Sequence, residues 1–194
     1  MGNREALLAG AKRCIVEKGY AHTTARDIVA ASGTNLASIG YHFGSKDALL
    51  DAAILDSFDD WDDDIEAALR EHQDGPPADR LAAFLDVLIE KVRTDRAMVA
   101  ASLQWVAQIQ FSTAVRGQLA EAFAGARRGF AAMLLGVEEV DDESALAVGS
   151  LGLALVNGLV LQWLVNADRA PTGREVAAAL RAVALPAAAS AGGQ

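Results

Sequence analysis

Residues 23–50 have the sequence TTARDIVAASGTNLASIGYHFGSKDALL. Thr24 followed by Asp27 has the spacing of a capping box, which predicts that a helix begins here and ends at Gly33. Asn35 is then placed to cap a second, short helix. Two short helices joined by a tight turn form a helix-turn-helix, in which the second helix enters the major groove of DNA. The segment therefore predicts a DNA-reading unit.

The rest of the chain repeats the apolar spacing of helices and lacks the alternation of strands. The clearest case is Leu81, Leu85, Leu88 and Val92, which share one helical face. The predicted helices span about 4–18, 24–32, 35–41, 45–73, 81–92, 95–110, 114–135, 142–167 and 172–183. The chain is therefore predicted to be all-α, with about nine helices.

Composition excludes several classes of protein. The 194 residues are 52% apolar and 22% charged, which is typical of a chain that folds around a core. Cys14 is the single cysteine, so a disulfide scaffold is excluded. Charged residues interrupt residues 1–20, which argues against a signal peptide and favours the cytoplasm.

The net charge of −9 is divided unevenly along the chain. Residues 1–50 contain six basic and four acidic side chains, whereas the other 144 residues contain eleven basic and twenty-two acidic ones. Neutralisation of DNA phosphates is local, so a mildly basic unit on an acidic body is compatible with DNA binding.

Three pieces of the N-terminal segment resemble the DNA-binding domain of the tetracycline-repressor (TetR) family: Thr-Thr-x-x-Asp-Ile, Ala-x-x-Gly and Tyr-His-Phe-x-Ser-Lys-x-x-Leu-Leu. Two residues depart from that family's pattern. Thr34 stands where a buried valine is usual, and Gly40 stands where tyrosine or asparagine is frequent. The resemblance implies a DNA-binding domain over 1–44, a ligand-sensing and dimerisation domain over 45–185, and a tail over 186–194 that we expect to be disordered.

The resemblance also implies a mechanism. Such a protein is a homodimeric transcriptional regulator, most often a repressor, that a small molecule releases from a palindromic operator in double-stranded DNA. We expect no enzymatic activity and no cofactor.

Ten residues of the segment are predicted to contact DNA. Side chains at the start of the second helix reach base edges, whereas hydroxyl, imidazole and ammonium donors before it and at its end suit phosphates. Gly40 lies among them but removes a side chain that could touch DNA. The ten are Thr23, Thr24, Asn35, Leu36, Ala37, Ser38, Gly40, Tyr41, His42 and Lys46.

The predicted eighth helix contains 24 consecutive uncharged residues, 144–167, enough to span a membrane. Its flank, Asp141-Asp142-Glu143, lacks the basic residues that mark a cytoplasmic end. A helix that is apolar on every side must be buried on every side. We therefore predict a dimer interface and no membrane contact, with the interface residues Ser150, Ala154, Gly158 and Trp163.

An effector pocket is expected where aromatic and amide side chains mix in the C-terminal body, because ligand pockets are apolar with a few polar groups. The candidate lining residues are Phe84, Gln104, Trp105, Gln108, Phe111 and Asn157.

Two alternatives from other classes remain open. Acidic residues crowd 51–66, where the pairs Asp59/Asp63 and Asp60/Asp64 could bridge a hard cation in a helical carrier or enzyme. A solvated acidic face is the commoner explanation of such a run. The histidines share no metal-ligand spacing, so no metal site is predicted. The other alternative is a helical interaction protein that keeps the motif without reading DNA.

Overall fold

The structure, a computed structural model, describes residues 2–59, 61–72 and 75–184, which form helices without any strand. The all-α prediction is confirmed. The chain divides into two compact units, which we call the first unit (residues 1–62 and 94–121) and the second unit (residues 63–93 and 122–194). The predicted tail, 186–194, lies outside the described residues.

The helices follow one another with short connections. In chain order they are α1 (Asn3–Lys18), α2 (Ala25–Ser32), α3 (Leu36–Phe43), α4 (Lys46–Asp59), α5 (Asp62–Glu71), α6 (Pro77–Thr94), α7 (Arg96–Val106), α8 (Thr113–Leu135), α9 (Asp142–Ser144), α10 (Ser150–Asn166) and α11 (Gly173–Ala184). Single 3-10 turns lie at Tyr20–His22 and Ala107–Gln110.

Two predicted helices are interrupted, which explains why the described segments outnumber the nine expected. The predicted helix over 45–73 divides into α4 and α5. At the division the Trp61 amide donates to the Phe58 carbonyl at 2.9 Å, and the two rings meet edge to face at 5.2 Å. Trp61 is buried, so the turn places its ring in the core. The predicted helix over 142–167 contains a π-helical segment, Ala145–Gly149, between α9 and α10.

The core of the first unit forms where α1 meets α2 and α4. Leu7, Ile28, Leu49 and Leu50 are fully buried there. A Cβ atom on Gly10 of α1 would lie 2.8 Å from the Ser32 Cβ atom, so glycine permits the close approach of α1 and α2. Helix α2 packs on α1, and α3 packs on both α1 and α4.

A buried arginine organises the second unit. Arg80 of α6 donates from Nε to the Met133 carbonyl at 2.7 Å and from Nη2 to the Leu134 carbonyl at 3.2 Å. It also donates from Nη1 to the Gly75 carbonyl at 2.5 Å. The last carbonyls of a helix lack partners and carry partial negative charge, so a cation stabilises the end of α8. The sequence pattern did not predict this role for Arg80.

The close contact of the π-helical segment with α8 leads to a stability prediction. A Cβ atom on Gly149 would lie 2.1 Å from the Arg127 carbonyl oxygen, which is backbone and cannot turn aside. We expect Gly149→Ala to lower the free energy of unfolding by about 1–3 kcal/mol, measured by urea denaturation. Gly125→Ala in α8 is the matched control, because its Cβ atom meets nothing within 4 Å. Equal midpoints for Gly149→Ala and the wild type would contradict the packing described.

Candidate DNA-binding surface

Local hydrogen bonds begin both helices of the predicted motif. The Thr24 hydroxyl accepts from the Asp27 amide at 3.2 Å, and the Thr24 amide donates to the Asp27 carboxylate at 2.9 Å. The Asn35 side chain accepts from the Ser38 amide at 3.0 Å. Between the helices, Gly33 has a φ of 69°, a left-handed conformation that glycine adopts without strain. The predicted caps and turn are confirmed.

Helix α3 presents one face outward and buries the other. Leu36 is 54% exposed and Tyr41 is 86% exposed, and Ala37 and Gly40 lie on the same open face. Ile39 is buried on the opposite face. A Cβ atom on Gly40 would meet nothing within 4 Å, so the centre of the outward face is open to a close partner.

Three of the ten predicted contact residues have donors that bond within the protein. Thr23 is buried, and its hydroxyl donates to the Gly19 carbonyl at 2.8 Å. Ser38 is buried, and its hydroxyl donates to the Asn35 side chain at 3.2 Å. The outward hydroxyl roles predicted for these two residues are corrected, because both side chains are buried. Thr24 is exposed, although its hydroxyl and amide both donate to Asp27, so its contact with DNA stays a prediction.

The remaining polar candidates lie at the end of α3 and the start of α4. The Lys46 ammonium lies 2.9 Å from the Asp47 carboxylate and 3.4 Å from the Thr23 carbonyl, with about a third of its side chain exposed. His42 is half-buried and meets the Tyr41 ring edge to face at 4.8 Å. Lys46 is therefore oriented by weak surface contacts that a phosphate could replace.

Sequence reasoning missed Arg26. It is exposed in the first turn of α2, and it makes no hydrogen bond or ion pair with any residue that the structure describes. The first amides of a helix lack internal partners and attract anions. Its position, two residues after the capping Thr24, could have identified Arg26 as a candidate phosphate contact. A side chain at that position lies beside the free amides at the start of α2.

An ion pair keeps the cap of α2 charged. Lys18 of α1 bonds to Asp27, and this contact, with the bonds from Thr24, holds the pKa of the Asp27 carboxyl well below its usual range. The carboxylate therefore remains ionised at neutral pH and keeps its acceptor role at the helix start.

A buried hydrogen bond joins the turn before α2 to α4. The Tyr20 hydroxyl donates to the Asp51 carboxylate at 2.7 Å. Burial raises the pKa of Asp51, whereas Tyr20 and the nearby indole of Trp105 lower it. The Trp105 Nε1 is buried and makes no hydrogen bond of normal geometry with the described residues. Burial also raises the pKa of Tyr20, and the hydroxyl stays protonated.

The predicted effector residues are divided between the two units. Gln104, Trp105, Gln108 and Phe111 belong to the first unit, where Trp105 is 1% exposed and Phe111 is 77% exposed. Phe84 and Asn157 belong to the second unit, where Phe84 meets Phe130 edge to face at 4.8 Å and Asn157 is exposed. Trp105 is therefore a packed core residue.

The predicted dimer residues differ in exposure. Ala154 and Gly158 are exposed and Ser150 is half-buried, so these three small residues lie at the surface of the second unit. Trp163 is buried, and its indole donates to the Pro171 carbonyl at 2.9 Å. It is removed from the predicted interface because its side chain packs within the unit.

The helical segment Asp142–Asn166 is long and apolar enough to cross a membrane. In its most apolar stretch of 18 residues, 22% is buried within the chain. Length and composition alone do not separate a membrane span from a helix covered by another protein surface.

Basic side chains engage several members of the acidic run. Asp56 pairs with Lys12 at 2.7 Å, and Asp64 pairs with Lys91. No metal-binding cluster occurs among the described residues. The side chains of Asp59, Asp60 and Asp63, which the cation alternative requires, lie outside them.

Comparison with known proteins matches both parts of the chain. Residues 7–53 match the model of bacterial regulatory proteins of the tetR family, and residues 77–185 match that of the BetI-type transcriptional repressor C-terminal region. The HTH-type transcriptional regulator BetI of Rhizobium meliloti is 29% identical over 180 residues, which cover 91% of this chain and 84% of that protein.

Solved structures share the fold. A TetR transcription regulator from Haloarcula marismortui superposes with a TM-score of 0.68 at 22% identity, covering 94% of each chain. A TetR family member from Streptomyces coelicolor superposes with a TM-score of 0.67 at 27% identity, covering 93% of this chain and 98% of that one.

The Tyr20–Asp51 bond leads to a prediction of pH-dependent stability. Burial raises the pKa of Asp51 in the folded chain above its value in the unfolded chain. Protonation of Asp51 therefore favours the folded state at pH values below the unfolded-state pKa. This contribution to stability is lost as the pH rises through the folded-state pKa. The Tyr20 bond offsets part of the loss by stabilising the carboxylate. Tyr20→Phe should therefore lower the free energy of unfolding by about 1–3 kcal/mol at neutral pH and by less near pH 4.

Urea denaturation at the two pH values measures this difference. Tyr41→Phe is the control, because the Tyr41 ring is 86% exposed and should leave stability unchanged at both values. An equal loss for Tyr20→Phe at both pH values would show that the hydroxyl does not stabilise an ionised Asp51.

Proposed function

Because this chain belongs to the tetR family of bacterial regulatory proteins, we propose that two copies of it bind a palindromic operator through α3 and release it when a small molecule binds. The chain is a DNA-binding transcriptional regulator, as its family and its BetI relative indicate. The observation that carries the proposed DNA contact is the outward face of α3, a capped helix on which Leu36 and Tyr41 are not covered by any part of the chain that the structure describes.

Base readout is assigned to the first turn of α3. The exposed aliphatic side chains of Leu36 and Ala37 suit the methyl groups of thymines in the major groove. Gly40 lies one turn further along the same face, where its missing side chain allows the DNA edge to come close. The free amide hydrogens of Asn35 are available to a base or a phosphate at the start of the helix.

Phosphate contact is assigned to donors on either side of this turn. Lys46, Tyr41 and His42 lie where the backbone of the DNA would pass the end of α3, and Arg26 with the first amides of α2 offers a second anchor. These contacts position the protein without selecting a sequence, so base selection falls mainly on Leu36 and Ala37.

A second copy of the chain is the proposed partner of the second unit. Leu151, Leu161 and Val165 of α10 are 52–77% exposed, as is Val183 of α11 at 77%. Apolar side chains at this density on one helix favour burial against another protein surface. Two recognition helices held roughly 34–36 Å apart would then read two half-sites one DNA turn apart.

Release by an effector is proposed to act through a change in the separation of the recognition helices. A ligand shifts an equilibrium only by binding one state more tightly than the other. The functional division remains as proposed from the sequence, with DNA binding in 1–44 and sensing and dimerisation in 45–185. We propose a cytoplasmic regulator rather than an enzyme, and no described feature favours the cation-binding alternative.

DNA binding by variants tests the proposed contacts. Footprinting on DNA upstream of the chain's own gene identifies the operator, and binding is then measured against salt on operator and scrambled DNA. Lys46→Ala should weaken binding to both alike and reduce the slope of log affinity against log salt by about one, because one phosphate contact is lost. Leu36→Ala should instead weaken operator binding selectively, leaving the slope unchanged.

Arg169→Ala is the matched control, because Arg169 is an exposed cation in the second unit. A change of base preference in Lys46→Ala, or a change of salt slope alone in Leu36→Ala, would contradict the proposed docking of α3.

Assembly is tested by sedimentation at micromolar concentration. Leu161→Glu places a charge on the exposed face of α10 and should convert a dimer into monomers, because burying an unpaired carboxylate is costly. Leu103→Glu is the control, since Leu103 is also exposed, at 40%, but lies on α7 in the first unit. A wild-type chain that sediments as a monomer would refute the assembly.

A further inference from the structure

A groove of about 630 Å³ lies in the second unit among α5, α6 and α11. Small side chains form its apolar part, namely Ala68 of α5 with Ala82 and Ala83 of α6. Charged side chains border it, namely Asp79 and Asp86 of α6 with Arg174 and Arg181 of α11. The volume falls within the roughly 300–1,000 Å³ typical of small-molecule sites.

Two contacts set α11 antiparallel to α6 along this groove. At one end the Gly173 amide donates to the Asp86 carboxylate at 3.2 Å. A Cβ atom on Gly173 would lie 2.6 Å from the Ala82 carbonyl oxygen, so the backbones approach closely there. At the other end Arg181 lies 4.0 Å from Asp79. These contacts fix the position of α11 against α6, and so they define the walls of the groove.

Two carboxylates and two guanidiniums border the groove, and they differ in whether they have partners. Asp86 accepts from the first amide of α11, where a helix carries partial positive charge. Asp79 and Arg181 face one another. His72 is bonded through Nδ1 to the Ala68 carbonyl at 3.0 Å. Arg174 makes no ion pair or hydrogen bond with any residue that the structure describes, so its guanidinium is the charged group of the lining without a described partner, and it lies beside an alanine-lined surface.

We propose that this groove binds a small amphipathic monoanion, whose carboxylate pairs with Arg174 and whose hydrocarbon part lies over the alanines. The planar guanidinium offers two parallel donors that match the two oxygens of a carboxylate. An amine of the same length would meet Arg174 with like charge, whereas the carboxylates of Asp86 and Asp79 already face the Gly173 amide and Arg181, so we expect the groove to prefer the anion. The site is independent of the DNA-binding proposal, because its binding is measured without DNA.

Sodium octanoate is the probe, titrated into the full chain carrying ¹³C-labelled alanine methyl groups. We expect saturable shifts of the Ala68, Ala82 and Ala83 methyl signals and a matching heat of binding. Arg174→Gln should weaken octanoate binding by about tenfold or more, because a charge-assisted pair is lost. Its fold should be unchanged, since Arg174 is exposed without an internal partner.

Controls separate this site from general attraction to the protein surface. Arg169→Gln removes another exposed cation of the second unit and should leave octanoate affinity unchanged. Octylamine should not shift the three methyl signals. The proposal is overturned if octanoate fails to shift them, if octylamine shifts them equally, or if Arg174→Gln binds octanoate as tightly as the wild type.

Ala83→Leu gives a second test by filling the groove. It should abolish the octanoate shifts at Ala68 and Ala82 while leaving Arg174 in place. Octanoate binding that survives a folded Ala83→Leu variant would place the anion elsewhere and overturn the proposal.

Discussion

The first unit depends on the burial of two helices that are too short to be stable alone. Helices α2 and α3 contain eight residues each, and isolated helices below about 12–15 residues are marginal in water. Ile28 and Ile39 are buried in the core that α1 and α4 contribute to, which supplies the missing stability. The same burial decides which side chains of α3 remain outside. The stability of α3 and the face proposed to read DNA therefore have one physical origin.

Buried polar groups then fix how the helices of each unit sit together. In the first unit the Tyr20–Asp51 bond ties the turn before α2 to α4. In the second unit Arg80 joins α6 to the end of α8 through backbone carbonyls. A buried polar group without its partner is costly, so each bond penalises other arrangements of the helices more than it adds to stability.

The second unit carries two surfaces with different chemistry. The exposed aliphatic side chains of α10 suit a second copy of the chain, whereas the groove beside α11 combines alanine side chains with Arg174, which has no partner among the described residues. Assembly and small-anion binding can therefore be perturbed separately. The surfaces proposed for DNA, for a second copy of the chain and for a small anion therefore lie on different sets of residues.

The sequence by itself determined the all-helical fold, the motif and the two caps at Thr24 and Asn35, because capping bonds join residues three apart and apolar spacing defines a helical face. Only the tertiary structure decided that Ser38 faces inward and that Trp105 belongs to a packed core. It also decided that Arg80 bonds to the Met133 and Leu134 carbonyls, which lie more than fifty residues along the chain. The burial of a side chain depends on contacts between segments that are distant in the chain. The spacing of apolar residues within one segment does not indicate which other segments it contacts.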